Sequence, residues 1–231
     1  MNCSLRIKSI VDMAETAEVL LDVGCDHGYT CICAVKEKKS KKAIAADIRP
    51  GPLAKASENI ASEGLSDVIR TVLSDGLSDI TEPFDVCVIS GMGGLLIASI
   101  LSAFPDKLSG VKQMLLSPHS ETSQLRKYLI EKTDFGIKRE RVLRDNGKFY
   151  TILDVRRKEE TENHYSEERF IKFGNPDNQE DIRTYSEMIS DTGRKLQDAL
   201  KMTQDSGTEK GMKRAEEIRE DLMLLASLIE R

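Results

Sequence analysis

Apolar positions fall into two regimes along this chain. Up to residue 155 they come as short continuous runs, and beyond residue 180 they recur every three or four positions. Continuous runs rich in β-branched residues are how strands buried on both faces of a parallel sheet read. Such runs cover 19–23, 43–47, 68–73, 84–89 and 111–116. Helical stretches are predicted between them. Ile7, Ile10, Val11 and Ala14 share one face of a helix within 4–17, and further helices are expected from Tyr29, over 53–63 and over 123–132. Gly51-Pro52 opens the third of these, with Pro near the first turn. The lysine-rich 36–42 reads as a solvated connector. The alternation then changes: 137–143 and 149–155 are strand-like runs flanking Asn146-Gly147, a strong hairpin signal.

Residues 156–177 are charged and hold Gly174 and Pro176, as a linker would. Ile182, Tyr185, Ile189, Thr192, Leu196 and Ala199 then follow a heptad rhythm, as do Ala215, Ile218, Leu222, Leu225 and Ile229. Asp205-Ser206-Gly207 separates them, so an antiparallel helical hairpin is expected, weakened at Gly193. The chain therefore divides, on this reading, into an α/β domain over 1–158 and a helical domain over 159–231.

Composition narrows the class. The 231 residues are 39% hydrophobic and 32% charged, with a net charge of −5. The first 158 carry 23 Lys+Arg against 21 Asp+Glu, and the remainder 11 against 18. That balance excludes a protein that coats nucleic acid but permits local recognition of RNA by the first part. No apolar run is long enough for a membrane span or a signal core, so a cytoplasmic protein is expected. The five cysteines form no C-x-x-C pair and read as reduced, mostly buried thiols; no metal site is expected.

The first strand leads into Asp22-Val23-Gly24-Cys25-Asp26-His27-Gly28-Tyr29. Strand, glycine turn and helix bring backbone N–H groups close to a nucleotide-like ligand. The pattern is D-x-G-x-D-x-G and lacks the second glycine needed against a pyrophosphate, which Asp22 would also repel. A ligand with an ammonium and a ribose suits it, as S-adenosylmethionine (SAM) does. Asp47 ends the second strand, where a carboxylate takes ribose hydroxyls. Asp75 follows the third strand and can accept from an adenine amine. The terminal β-hairpin, by fold-level analogy, separates SAM-dependent methyltransferases from most nicotinamide-binding folds. The fold class is thus α/β: a Rossmann-like class I methyltransferase sheet, mostly parallel with a C-terminal antiparallel hairpin, and a C-terminal α-helical hairpin. The N/D-P-P-Y/F/W tetrapeptide of exocyclic adenine methyltransferases is absent, and Ser90-Gly91-Met92-Gly93 stands after strand four, which favours a ring nitrogen.

Taken together, Leu5-Arg6-Ile7, the Asp22–Tyr29 turn, Asp47 with Gly51-Pro52, Asp75-Gly76, Gly91-Met92-Gly93-Gly94, Leu125-Arg126, 145–150 and Tyr165-Ser166-Glu167-Glu168 resemble the bacterial tRNA (adenine-22-N1)-methyltransferases over nearly the full chain. The resemblance implies SAM as cofactor, tRNA as substrate and N1 of adenine 22 as the methyl acceptor, in a monomer or weak homodimer. It implies a catalytic role for Asp26. It implies cofactor contacts from Asp22, Gly24, Asp26, His27, Asp47, Ile48, Asp75, Gly76, Gly91, Met92 and Gly93. Arg6, Tyr29, Ser117, His119 and Arg126 are the implied substrate contacts. Two departures stand out. The family usually has a proline where this chain has Cys31, and Gln-Pro-Asn where this chain has Ser117-Pro118-His119.

Alternatives stay open at this level. Asp26 could instead cap the following helix, His27 could be an ordinary turn residue, and Tyr29 could pack in the core. A small-molecule methyltransferase, or a SAM- or RNA-binding protein without activity, also fits the fold. Arg6, Arg49, Arg126 and Lys127 argue for a large anionic substrate, and retention of Asp22, Asp26, Asp47 and Asp75 together argues for activity.

Overall fold

The computed structural model describes residues 3–162, 165–204 and 208–229. Helix α1 (Leu5–Met13) precedes β1 (Ala17–Val23), α2 (Tyr29–Lys36), β2 (Ser40–Asp47), α3 (Pro50–Ser62) and β3 (Ile69–Leu73). Then come β4 (Val86–Ser90), α4 (Gly94–Ala103), β5 (Gln113–Ser117), α5 (Thr122–Lys132), β6 (Phe135–Asp145) and β7 (Lys148–Arg157). The strands form one sheet in the order β3-β2-β1-β4-β5-β7-β6. The first five are parallel, and β7 pairs antiparallel with both β5 and β6. The order reverses between β1 and β4, so the crevice at their C-terminal ends is where a ligand belongs in such a sheet.

Side chains alternate through the sheet. Leu21, Val23, Cys87, Ile89, Met114 and Leu116 enter the core under α4 and α5, while Leu20, Val86, Val88 and Leu115 enter the one under α1, α2 and α3. Both layers are fully covered, which is why the strands read as unbroken apolar runs. Helix α4 is absent from the sequence reading. Its Leu95–Ala103 stretch is apolar almost throughout, so it carries no amphipathic period. Asn146 and Gly147 take φ of 49° and 79° at the β6–β7 turn, as a two-residue hairpin loop requires.

Long-range side chains hold α1 to the far edge of the sheet. Gln113 donates to the Met13 carbonyl and to Asp154 while accepting from the Glu15 N–H. Arg141 donates to the Ser9 carbonyl. The cysteine expectation is corrected at one pair: the Cys3 and Cys33 sulfurs lie within bonding distance, with their Cα atoms 7.1 Å apart. Cys25, Cys31 and Cys87 are free and buried.

Beyond β7, α6 (Glu168–Phe173) leads to α7 (Ile182–Gln204) and α8 (Glu209–Ile229), which pack on each other. Tyr185, Ile189, Ala215, Ile218 and Leu225 of the two heptad stripes are buried, and Leu228 joins them. Ile182, the first residue of α7, is 54% exposed. The expected break at 205–207 lies outside the described residues. Gly193 stands opposite Leu225, which a Cβ would meet at 3.5 Å. The hairpin is not detached: Tyr165, Phe170, Phe173, Tyr185, Ile189, Leu225 and Leu228 belong to the same apolar core as β4, β5 and α5. A boundary at 158/159 therefore cuts through a shared core.

Candidate functional site

The C-terminal ends of β1, β2, β3 and β4 open on a cleft of about 580 Å³. The turn after β1 is pinned from below. Gly24 and Cys25 both donate to the Ala46 carbonyl of β2, at 2.8 and 2.9 Å. Gly24, Asp26 and Gly28 take φ of 75°, 49° and 74°. Gly28 is the N-cap of α2, which receives no side-chain cap. The capping alternative for Asp26 is thereby removed. Instead its backbone N–H donates to Asp47 Oδ2 at 3.3 Å, and its carboxylate is 60% exposed, between His27 Nε2 at 3.5 Å and Arg49 Nη2 at 3.8 Å.

Asp47 is buried. Its Oδ1 accepts from the Arg49 N–H at 2.9 Å and from Arg49 Nε at 3.3 Å. Asp22 is also buried, and desolvation pushes its carboxyl up to about 7, with Asp47 adding and Thr30 and Arg6 opposing. Asp75 and Gly76 lie after β3; a Cβ on Gly76 would press on Ile100 of α4. Ile48 projects at 57% exposure on the same rim, opposite the apolar Leu96 and Ile100. Cys25 is no candidate nucleophile. Burial, then Asp22, Asp47 and Asp26, push its thiol well above the ordinary range, whereas a reactive cysteine needs it lowered.

Most of the residues singled out in the sequence meet here. Asp22, Gly24, Asp26, His27, Asp47, Ile48, Asp75, Gly76, Gly91 and Met92 line the cleft, and so do Arg6 and Tyr29. Met92 crosses the Gly24 turn so closely that a Cβ at Gly24 would collide with its Cε. Arg6 lies over the Tyr150 ring, 5.2 Å from its centre, and beside Gly91.

Four do not line it. Gly93 caps α4 and faces Glu121 and Ser120, where a Cβ would crowd Glu121 Oε2. Ser117 is buried next to Ser90, and its Oγ has no partner among the described residues. His119 is exposed and donates its N–H to the Met92 carbonyl. Arg126 is the clear correction. It is buried in α5 and commits Nε and Nη2 to Glu140 at 2.8 Å each, with Nη1 on the carbonyls of Ile171 and Lys172. With four of its five N–H donors engaged and its side chain 3% exposed, it presents no surface to RNA. The sequence reading passed over Thr30, Ser90 and Leu96 as lining residues. Thr30 carries the one signal that could have found it, its place in the first turn of α2 behind Asp22.

A family model described as tRNA (adenine(22)-N(1))-methyltransferase matches residues 20–227. The tRNA (adenine(22)-N(1))-methyltransferase of Bacillus subtilis (strain 168) is 34% identical over 151 residues, 65% of this chain and 63% of that protein, so the alignment spans a little under two thirds of the relative's length. Among solved structures, a candidate tRNA (m1A22) methyltransferase of Streptococcus pneumoniae in complex with S-adenosyl-L-methionine is 30% identical. It superposes with a TM-score of 0.78 over 96% of this chain and 100% of that one. The B. subtilis M1A22 tRNA methyltransferase TrmK superposes with a TM-score of 0.85 at 25% identity, over 99% of both chains.

Proposed function

Because the chain belongs to the tRNA (adenine(22)-N(1))-methyltransferase family, we propose that it transfers the methyl group of SAM to N1 of adenine 22 in tRNA. The observation that carries this reading is the gathering of Asp22, Asp26, Asp47 and Asp75 around one cleft. The donor set fits the cofactor. Buried Asp47 has carboxylate capacity left for ribose hydroxyls, Asp22 suits the ammonium, and Asp75 suits the adenine amine. The Gly24 turn lets the backbone approach, and Ile48, Leu96 and Ile100 offer an apolar wall to an adenine ring.

SAM, when bound, supplies a methyl group already activated on a sulfonium. The protein has to align the acceptor with it and exclude water. Adenine N1 has a free lone pair at neutral pH, so no proton leaves before transfer. The product is cationic and spreads charge onto N6. The Asp26 carboxylate at the cleft mouth is the group to stabilise that charge or accept an N6–H, with His27 at 3.5 Å to steer it. Tyr29 and the Arg6–Tyr150 pair offer flat surfaces to a base at the same mouth.

Among the described residues no helix is long and apolar enough to cross a membrane. We place the protein in the cytoplasm with its substrate, as a monomer or weak homodimer. The test is direct: purified protein, SAM and a tRNA transcript with adenine at nucleotide 22, with a guanine-22 transcript as control. The expected result is one methyl group on N1 of adenine 22. Methylation of neither transcript, with SAM bound, overturns the assignment.

A further inference from the structure

Asp26 has a neighbour that the reaction as described does not use. Arg49 is anchored at its root, since its backbone N–H and Nε both reach Asp47 Oδ1. Of the three guanidinium nitrogens of Arg49, only Nε makes a hydrogen bond among the described residues. Nη2 stands 3.8 Å from Asp26 Oδ1, an ion-pair distance without a hydrogen bond, and the side chain is 64% exposed. The remaining donors are therefore held at the lip of the cleft in a planar fork, the shape that takes a phosphodiester bidentately.

The surroundings explain why a cation is needed there. Asp22, Asp26, Asp47 and Asp75 line the cleft, against Arg6 and Arg49 as the only Lys or Arg side chains among the described residues. A polyanion entering this mouth meets exposed Asp26 first. Resting on the RNA-methylating reading above, we propose that Arg49 is a phosphate latch. It gives up its loose contact with Asp26 for a phosphodiester beside the target nucleotide, and so leaves Asp26 Oδ1 open to the exocyclic amine of the base. An exposed ion pair at this distance is weak, and exchanging it for a charge-assisted fork is favourable. The latch does not require the side chain to support Asp47 as well. The backbone N–H groups of Asp26 and Arg49 reach that carboxylate whatever side chain stands at position 49.

The test compares wild type, Arg49→Ala and Arg49→Lys. Equilibrium binding of a tRNA transcript is followed by fluorescence anisotropy over a salt series, and SAM binding by calorimetry. In Arg49→Ala, tRNA affinity should fall several-fold and the slope of log affinity against log salt should become shallower by about one. SAM affinity should stay within about twofold, because a phosphate contact leaves the cofactor groups in place. Arg49→Lys should recover the slope while regaining only part of the affinity, as a point charge lacks the fork. An unchanged slope in Arg49→Ala overturns the latch, as does a loss of SAM affinity equal to the loss of tRNA affinity. Failure of the underlying reading shows separately, as wild-type protein that binds tRNA and SAM yet transfers no methyl group.

Discussion

The backbone N–H of Asp26 is bonded to the carboxylate of Asp47, so the residue proposed to act on the substrate is held in place by the residue proposed to bind the cofactor ribose. Asp26 sits at φ 49°, a left-handed conformation that Asn and Asp tolerate better than other residues with a side chain. This makes Asp26→Asn the clean substitution. It should lower kcat by about 10²–10³ while leaving the SAM dissociation constant nearly unchanged. Asp26→Ala should do the same and also lose roughly 1 kcal/mol of stability to backbone strain. Single-turnover methylation checks the first effect and urea unfolding the second. Full turnover in the Asn variant would make Asp26 a structural residue.

Asp22 gives the protein two opposed pH dependences. Its carboxyl is raised from 3.8 to about 7 in the folded chain, chiefly by burial. The unfolded chain therefore releases this proton near pH 4, while the folded chain keeps it until about 7. Stability from this group is complete below pH 4 and is lost as pH climbs toward 7. SAM binding should run the other way and strengthen up to about pH 7, as the carboxylate that pairs with its ammonium forms. Calorimetry at pH 5.5 and 8, with Asp22→Asn as control, reads both; a pH-independent affinity in wild type would remove Asp22 from the ammonium site.

Arg126 should behave as a structural residue. Glu140 is fully buried and accepts from Arg126, Tyr165 and Gln179. Arg126→Met strands that carboxylate and should cost about 3–5 kcal/mol. The molecules that remain folded should methylate at the wild-type rate. Thermal unfolding together with turnover normalised to the folded fraction checks this, and a specific loss of turnover would restore a substrate role.

The helical hairpin should tolerate only partial removal. Its distal half can be replaced by a short loop without exposing Tyr185, Ile189, Leu225 or Leu228, which join the core at its base. That variant should fold and bind SAM, and any loss should fall on tRNA affinity. Deleting 178–231 should instead unmask Phe170, Phe173 and the buried Arg126–Glu140 pair and give an insoluble or molten chain. Circular dichroism and SAM calorimetry distinguish the two.

The lining of the cleft was legible because carboxylates near strand ends announce themselves. Asp22, Asp47 and Asp75 each lie within two residues of a strand's C-terminal end, and the parallel order brings those ends together. The Asn146-Gly147 turn likewise fixed the β6–β7 pairing. What escaped had no local signature. Arg126 looks like any helix-surface arginine until β6 brings Glu140 against it. Gly93 shares a motif with Gly91 and Met92, but backbone direction after β4 turns it toward Glu121. Cys3 and Cys33 are thirty residues apart, and only the packing of α1 on α2 makes them neighbours.

The ties that hold α1 also set an order of events during synthesis. The helix that carries Arg6 leaves the ribosome well before its anchors Gln113 and Arg141, which are about a hundred residues or more further along. Contacts so distant in sequence form late, since the loop between them has to be closed first. A nascent chain that stops before β5 has α1 packed on α2 but lacks the ties to Gln113 and Arg141. Such a chain should leave the cleft wall at Arg6 open, and pulse-labelled hydrogen exchange during refolding should find the α1 amides protected after those of β1 and β4. Completion of the C-terminal strands should therefore be what fixes Arg6 at the cleft wall, over the Tyr150 ring.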